Sequence, residues 1–404
     1  VDTKVTLKIG ADTPSAASEA LTRALSAVEV TCGNTAPAGF QLTFDAERYD
    51  PRYTKSDTAS QEEWPLLTDG SVAPFNRVQL LVEIGTGSPQ PLIDGFITRI
   101  ELNLREGEES PVLVATGEDV SVKMDLFEIS AEYQELAPSA VVSQILGKYS
   151  SLVQSDVTAP SGESTPADYV LQQNCTDRLY LKMLAAQAGY EFYVQPGSPK
   201  STAYWGPPVA NKSPAPQSQK ELVAQMGKRT NVLALNFSYD ALAPTLTYAQ
   251  VLDLSKNPAE ATPVAIGSAS QKPNLSSGGA IPGTPSPAGL AQDPSSARGQ
   301  AQKLAVRGSL ANYPGYPVPE ATAIAQGRTN LSVTEVVTVE GELDTDAYGA
   351  VLAAPGLVDV YGVGTQYGGT FAVREVVHSL KFQDLDWQYR QKFVLTRGGL
   401  GFKG

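Results

Sequence analysis

Between Leu357 and Gly401 the chain reads as three consecutive strands, and this stretch limits the possible folds more than any other. Apolar and polar residues alternate over 357–363, 370–378 and 388–396, with glycines at 364–369 and a polar turn at 383–386 between the runs. A period of two sends successive side chains to opposite faces, so each run has one face for a core and one for water. Three such runs joined by short polar turns make an antiparallel sheet.

The same pattern opens the chain. Val5, Leu7 and Ile9 alternate with polar residues, and further strands are expected at 28–32, 40–44, 78–84, 92–104 and 111–126. Turn signals lie at 86–90, at Asp94–Gly95 and at 105–109. Strands at this spacing suggest a small barrel or sandwich. A short helix is expected within 13–27, and residues 50–73 read as a long polar loop.

The character then changes. Pro138 stands in a first-turn position ahead of Val141, Val142, Ile145 and Leu146 at helical spacing, which predicts a helix. A second helix starts at the N-cap pair Thr176–Asp177, runs to Ala188 and stops at Gly189, with a strand over 190–194. From about 201 a second β-module begins, with Leu235 and Phe237 inward and Asn236 and Ser238 outward, continued by a strand over 247–254. Residues 255–298 are rich in Pro, Gly, Ser and Ala and read as a flexible insertion. Helices are expected over 300–311 and 319–331, and the closing sheet starts at Glu335.

At 404 residues with 42% hydrophobic content the chain suits two or three packed modules rather than a disordered tail. Lys+Arg 30 against Asp+Glu 43 gives a net charge of -13, which argues against wrapping nucleic acid, because phosphate binding needs a basic face. The two cysteines, Cys32 and Cys175, make no disulfide framework and read as small buried thiols, with a bond between them left open. No leader pattern occurs, and no apolar run approaches the roughly 20 residues that span a bilayer. The expectation is a soluble protein that folds in a cytoplasm.

Catalytic and metal chemistry find little support. His378, the one histidine, lies on an alternating strand with Val376 and Leu380 on its face, and no G-x-S-x-G elbow occurs. Asp344 and Asp346 imitate the start of a calcium loop, but Tyr348 and Pro355 occupy ligand positions, so a turn with a helix start is expected. The glycines of 362–369 have the wrong spacing for a nucleotide fingerprint and are expected to serve a hairpin. Asp384/Asp386 and Glu106/Glu108/Glu109 read as solvated turn charge rather than a glycosidase pair.

Four blocks, in this order, resemble the phage late-control protein D and baseplate hub family of contractile tails and contractile injection systems. The first is 93–104, with Gly95. The second is 176–194, with Thr176, Asp177, Leu184, Ala185, Gly189 and Tyr190. The third is 236–245, with Tyr239 and Asp240. The last is 340–401, with Gly362, Gly364, His378, Arg390, Phe393, Leu400 and Gly401. The resemblance is weaker over 1–92 and 255–298.

The resemblance implies a mainly β fold with an α+β insertion: two tube-like antiparallel β-barrel domains plus a helix-containing domain, in a trimeric ring. Mapped here, residues 1–127 form the first barrel and 128–200 the middle domain, 201–254 start the second barrel, 255–298 are the insertion, and 299–404 complete the second barrel. Strand edges would pair across subunits. The implied function is that of a non-enzymatic baseplate hub joining a six-fold inner tube to a three-fold spike. Implied partners are two further copies, the inner tube protein, a separate spike protein (the chain stops at Gly404 without a spike domain) and other baseplate components, with no cofactor, metal, nucleic acid or membrane. Assembly is expected in a bacterial cytoplasm, into a phage virion or an injection particle. The motif positions are expected to be structural. The rival from another class is a secreted β-rich hydrolase or carbohydrate-binding protein, with convergent carboxylates or stacked aromatics in a pocket.

Overall fold

Alternation decides the first strands. In β1 (Thr3–Gly10) Leu7 and Ile9 are buried while Lys4 and Thr6 face water. The two-residue β2 (Ser15–Ala16) follows, then a one-and-a-half-turn helix at Glu19–Ala24 whose N-cap is the Ser18 hydroxyl. β3 (Leu25–Gly33), β4 (Gly39–Asp45), β5 (Arg77–Ile84), β6 (Gln90–Asn103) and β7 (Val112–Asp119) complete the amino-terminal half. The strand expected to reach 126 ends at Asp119. There the carboxylate accepts from the backbone N–H of Ser121 at 2.8 Å and of Ala38 at 2.7 Å, which turns the chain into a 3-10 helix over Val120–Asp125. The computed structural model describes residues 2–46, 70–104, 111–160, 170–253, 260–265, 306–309, 318–332 and 334–401, apart from residues 12, 241 and 244, together with Leu66, Glu163, Thr165 and Leu275. Most of the expected 50–73 loop and the Glu106/Glu108/Glu109 cluster lie outside them.

The middle segment builds two small sheets around helices. β8 (Glu128–Tyr133) pairs with β10 (Leu171–Thr176). β9 (Val153–Val157), β11 (Glu191–Gln195) and β12 (Ser201–Gly206) form the other sheet, in the order β11-β12-β9. Residues 201–206, read from sequence as the start of the second β-module, therefore belong to this middle sheet. The helix Pro138–Gly147 buries Val141, Val142, Ile145 and Leu146 on one stripe. Each such side chain removed from water contributes about 2 kcal/mol before entropy is counted. The ends of the helix Asp177–Ala188 are set by local chemistry: the Thr176 hydroxyl accepts from the Leu179 N–H, and Gly189, at φ 69°, ends it.

The carboxy-terminal half comprises β13 (Gln219–Val223), β14 (Val232–Tyr239), β18 (Val337–Leu343), β19 (Gly356–Tyr361), β20 (Gly369–Gln383) and β21 (Asp386–Arg397). Between β14 and β18 lies a separate three-stranded sheet of β15 (Thr245–Asp253), β16 (Glu260–Ala265) and β17 (Val306–Ser309), followed by the helix Val318–Ser332. Three sequence expectations change here. The 247–254 strand does not continue the main sheet. Residues 260–265, inside the expected flexible insertion, form a strand, and 306–309, expected to be helical, form another. Both strands gain their hydrogen bonds from β15, β16 antiparallel and close in sequence, β17 parallel and more than fifty residues on, and neither composition nor helical spacing reports such a partner.

All the strands of the two halves join one 13-stranded sheet, ordered β14-β18-β21-β20-β3-β4-β7-β6-β5-β1-β2, with β19 and β13 branching from β20. One hydrophobic core runs through it, from Leu7 and Phe44 to Phe371 and Leu395. The aromatic–glycine pairing recurs on both sides. Phe40 on β4 faces Gly117 on β7, and Phe393 on β21 faces Gly341 on β18. In each pair the ring occupies the space a Cβ would need, 2.3 Å away at Gly117 and 2.4 Å at Gly341. A second core gathers the middle helices around Trp205, Tyr180 and Leu181.

Candidate functional site at the seam of the sheet

The amino- and carboxy-terminal halves meet along β20, which changes partner midway. Its residues 369–373 pair with β19 and residues 375–381 pair with β3. A register shift between Val373 and Glu375 against β21 marks the change, and Arg374 is the extra residue. Its carbonyl accepts from the Asn34 N–H at 3.3 Å, and its guanidinium pairs with Glu335 at 3.1 Å. The Asn34 side chain reaches on to the middle sheet, donating from Nδ2 to Glu191 Oε1 at 2.8 Å. Four segments distant in sequence thus converge at one junction.

A cavity of about 630 Å³ opens at this junction, lined among others by Asn34, Lys182, Tyr190, Glu191, Arg328 and Glu335. Burial pushes the Glu191 carboxyl up to about 7, helped by the charge of Glu335 and opposed by the Asn34 hydrogen bond and Arg374. Glu191 Oε2 and Asn34 Oδ1 are buried without a hydrogen-bond partner. A carboxyl raised in the folded state contributes stability below its ordinary pKa of 4.5, and that share is lost as pH rises through 7. We therefore expect Glu191→Gln to be more stable than the parent above pH 7, by on the order of 3 kcal/mol, and indistinguishable from it near pH 4. Urea midpoints at the two pH values check this.

The motif positions read from sequence occupy several places. Thr176, Asp177, Gly189 and Tyr190 belong to one helix and its ends. Asp177 is fully buried and accepts from Gln173 Nε2 at 2.8 Å, Tyr149 OH at 2.9 Å and Lys148 Nζ at 3.2 Å. Gly189 lies against the backbone of Gly327, where a Cβ would come within 2.7 Å, so this helix and Val318–Ser332 touch backbone to backbone. Tyr190 packs edge-on against Trp205 at 5.1 Å. Gly95 presses on the Glu118 carbonyl of β7. Tyr239 ends β14, and Asp240 turns the chain by accepting from the Leu242 N–H at 2.8 Å. Arg390 makes a surface pair with Glu342 at 2.8 Å, while Phe393 is buried.

Gly362 lies against the Ala224 backbone, Leu400 is buried in the main core, and Gly364 and Gly401 flank one turn. The one-turn helix Gly364–Tyr367 interrupts the expected hairpin loop, and buried Arg397 donates to the carbonyls of Gln366, Gly368 and Gly399 at 2.8–2.9 Å. The Gly401 N–H donates to Gln366 at 2.9 Å. His378 is 1% exposed, with Nδ1 at 2.8 Å from the Tyr389 hydroxyl, and burial holds its pKa at about 3. Asp344 caps the short helix Thr345–Tyr348. Cys32 and Cys175 are free; Cys32 donates to the Leu92 carbonyl at 3.2 Å, and burial with the nearby Asp119 charge pushes its thiol up to about 12. Among the described residues no group of three or more His, Cys, Asp or Glu is arranged to hold a metal, and no helix is long and apolar enough to cross a membrane.

Sequence reasoning passed over the junction residues Asn34, Glu191, Gly327 and Arg374, and also Arg397. Glu191 carried a signal: it is the one charge in a run of Tyr190, Phe192, Tyr193 and Val194. A carboxylate among aromatics is buried only where something else accommodates it.

No protein-family model matches the chain, and no curated protein matches it. Solved structures do. The tail protein from Neisseria meningitidis MC58 superposes with a TM-score of 0.58 at 11% identity, over 100% of both chains. The 43 kDa tail protein of prophage MuSo2 from Shewanella oneidensis gives 0.57 at 12% identity, over 98% of each chain. The E. coli c3393 protein, a type VI secretion component structurally similar to the bacteriophage T4 tail proteins gp27 and gp5, gives 0.51 at 11% identity, over 92% of this chain and 73% of its own. The β-rich architecture of this chain is therefore the fold of these phage and type VI tail proteins.

Proposed function

We propose that this chain is the hub of a contractile baseplate, in a phage tail or a related injection particle, and that it works as a homotrimer between a six-fold inner tube and a three-fold spike. The observation that carries the reading is the end-to-end fold likeness to two phage-type tail proteins. The topology supports it. Each chain holds six strands of five residues or more on the amino-terminal side of the seam and six on the carboxy-terminal side, with the Phe40–Gly117 and Phe393–Gly341 pairs at matching places in the strand order. Three copies would present six such half-sheets, which suits a six-fold tube, while the chain itself repeats three times to suit the spike. The partners follow from that reading: an inner tube protein, a spike and other baseplate components. The role is mechanical, and no catalytic step is assigned to any residue.

Obligate interfaces of this kind bury thousands of Å². In native mass spectrometry of the purified chain at micromolar concentration we expect a trimer or larger self-association. A stable, well-folded monomer over the whole concentration range would count against the hub.

A further inference from the structure

On the reading that this chain belongs to a tail-type particle, we propose that the tip of the β20–β21 hairpin is a docking peg. Leu385 at its apex seats in an apolar socket, rimmed by lysine or arginine, on a different protein of that particle. β20 is paired with β3 only as far as Lys381, and β21 with β18 only from Gln391 onward. Residues 382–388 are therefore a ribbon bonded to neither flanking strand. Gln383 and Asp386 are register partners, which leaves Asp384 and Leu385 as a two-residue turn. Both have positive φ, 53° and 67°. A turn with that backbone asks for Asn-Gly or Asp-Gly. Asp384 meets the demand. Leu385 does not, because a residue with a Cβ is strained in the left-handed region.

The fold gains nothing from that strain. Leu385 is 91% exposed, more than any other large apolar side chain among the described residues, and it belongs to no core cluster. The hairpin is held instead by Phe382 and Trp387, whose rings meet edge-on at 5.4 Å, with Trp387 packed on the main core. A single exposed leucine is ordinary on a protein surface. An exposed leucine kept in a strained backbone, at a tip where glycine would relax it, points to a duty outside the fold.

Charge decides the occupant. Asp384 and Asp386 stand exposed on either side of Leu385, and the nearest cation in the hairpin, Lys381, is four residues away. Two carboxylates beside an apolar apex match a socket with a basic rim. They oppose an anionic lipid surface. A second copy of this chain, with its net charge of -13, is the poorer match on the same ground.

The test compares the whole chain with its Leu385→Gly and Asp384→Asn/Asp386→Asn variants, each in isolation and in the strain that produces the particle. Glycine relaxes the turn, so Leu385→Gly should unfold at a higher urea concentration than the parent. Its yield of assembled particles should nevertheless fall by roughly tenfold or more. A merely structural leucine would move both readouts in the same direction. The Asn variant should match the parent in urea and also lose particles. A photo-reactive phenylalanine analogue in place of Gln383 should cross-link, in purified particles, to another protein at apolar residues next to lysine or arginine. Parent-level assembly by Leu385→Gly, a lower urea midpoint for it, or cross-links confined to lipid or to another copy would each overturn the proposal. Absence of the parent chain from purified particles would instead remove the hub reading, and the peg with it.

Discussion

Gly362→Ala is expected to cost about 4 kcal/mol or to prevent folding, whereas Gly364→Ala costs about 1 kcal/mol. The two glycines have nearly the same backbone, φ 83° and φ 81°, so an L-residue meets the same left-handed strain at both. What differs is the space. A Cβ at Gly362 would stand 1.9 Å from the Ala224 carbonyl oxygen, while one at Gly364 meets nothing within 4 Å. The Ala224 oxygen cannot retreat, because its own N–H is bonded to the Tyr361 carbonyl at 3.0 Å where β13 and β19 run side by side. Urea unfolding of both variants separates backbone strain from collision. Equal losses would mean that the β13–β19 contact is looser than described.

The second large effect is acid sensitivity centred on His378. Its imidazole is buried against Tyr389 in the shared core, and its folded pKa of about 3 lies below the ordinary 6.5. A group with a depressed folded pKa contributes stability above its unfolded pKa, and loses it as pH falls toward the folded one. Between pH 6.5 and 3 the parent should lose on the order of 4 kcal/mol through this residue alone. His378→Leu starts less stable, since the Tyr389 hydroxyl loses its partner, but its profile over that window should be flatter by about that amount. Parallel profiles for the two proteins would show that His378 is not the buried neutral group described. Glu191 acts with the opposite sign over the upper part of the same range, so the double variant with Glu191→Gln resolves the two contributions.

Where folding is decided by neighbours in sequence, the sequence was readable. The helix Asp177–Ala188 carries its cap, its stop and its buried stripe of Tyr180, Leu181, Leu184 and Ala185 within a dozen positions. The buried alternation Val376, His378, Leu380 was equally plain. The partner change in β20 left a trace that the reading of 370–378 as one alternating run missed: buried Phe371 and Val373 fall on odd positions, and Val376, His378 and Leu380 on even ones. That slip of phase is the bulge at Arg374. What could not be read was pairing at a distance. Val306–Ser309 is a strand because β15 is beside it, and Ser201–Gly206 joins the middle sheet because β9 and β11 are there. Of the candidate site, the motif glycines were visible as glycines. The junction of Asn34, Glu191, Glu335 and Arg374 exists only after separate segments have folded onto the seam.

The most direct test of the hub reading is cryo-electron microscopy of the assembled particle that contains this chain. The account predicts three copies on the central axis, between the last ring of the inner tube and the spike, with the β3–β20 seam inside each subunit. Six copies, or any position away from that axis, would contradict it.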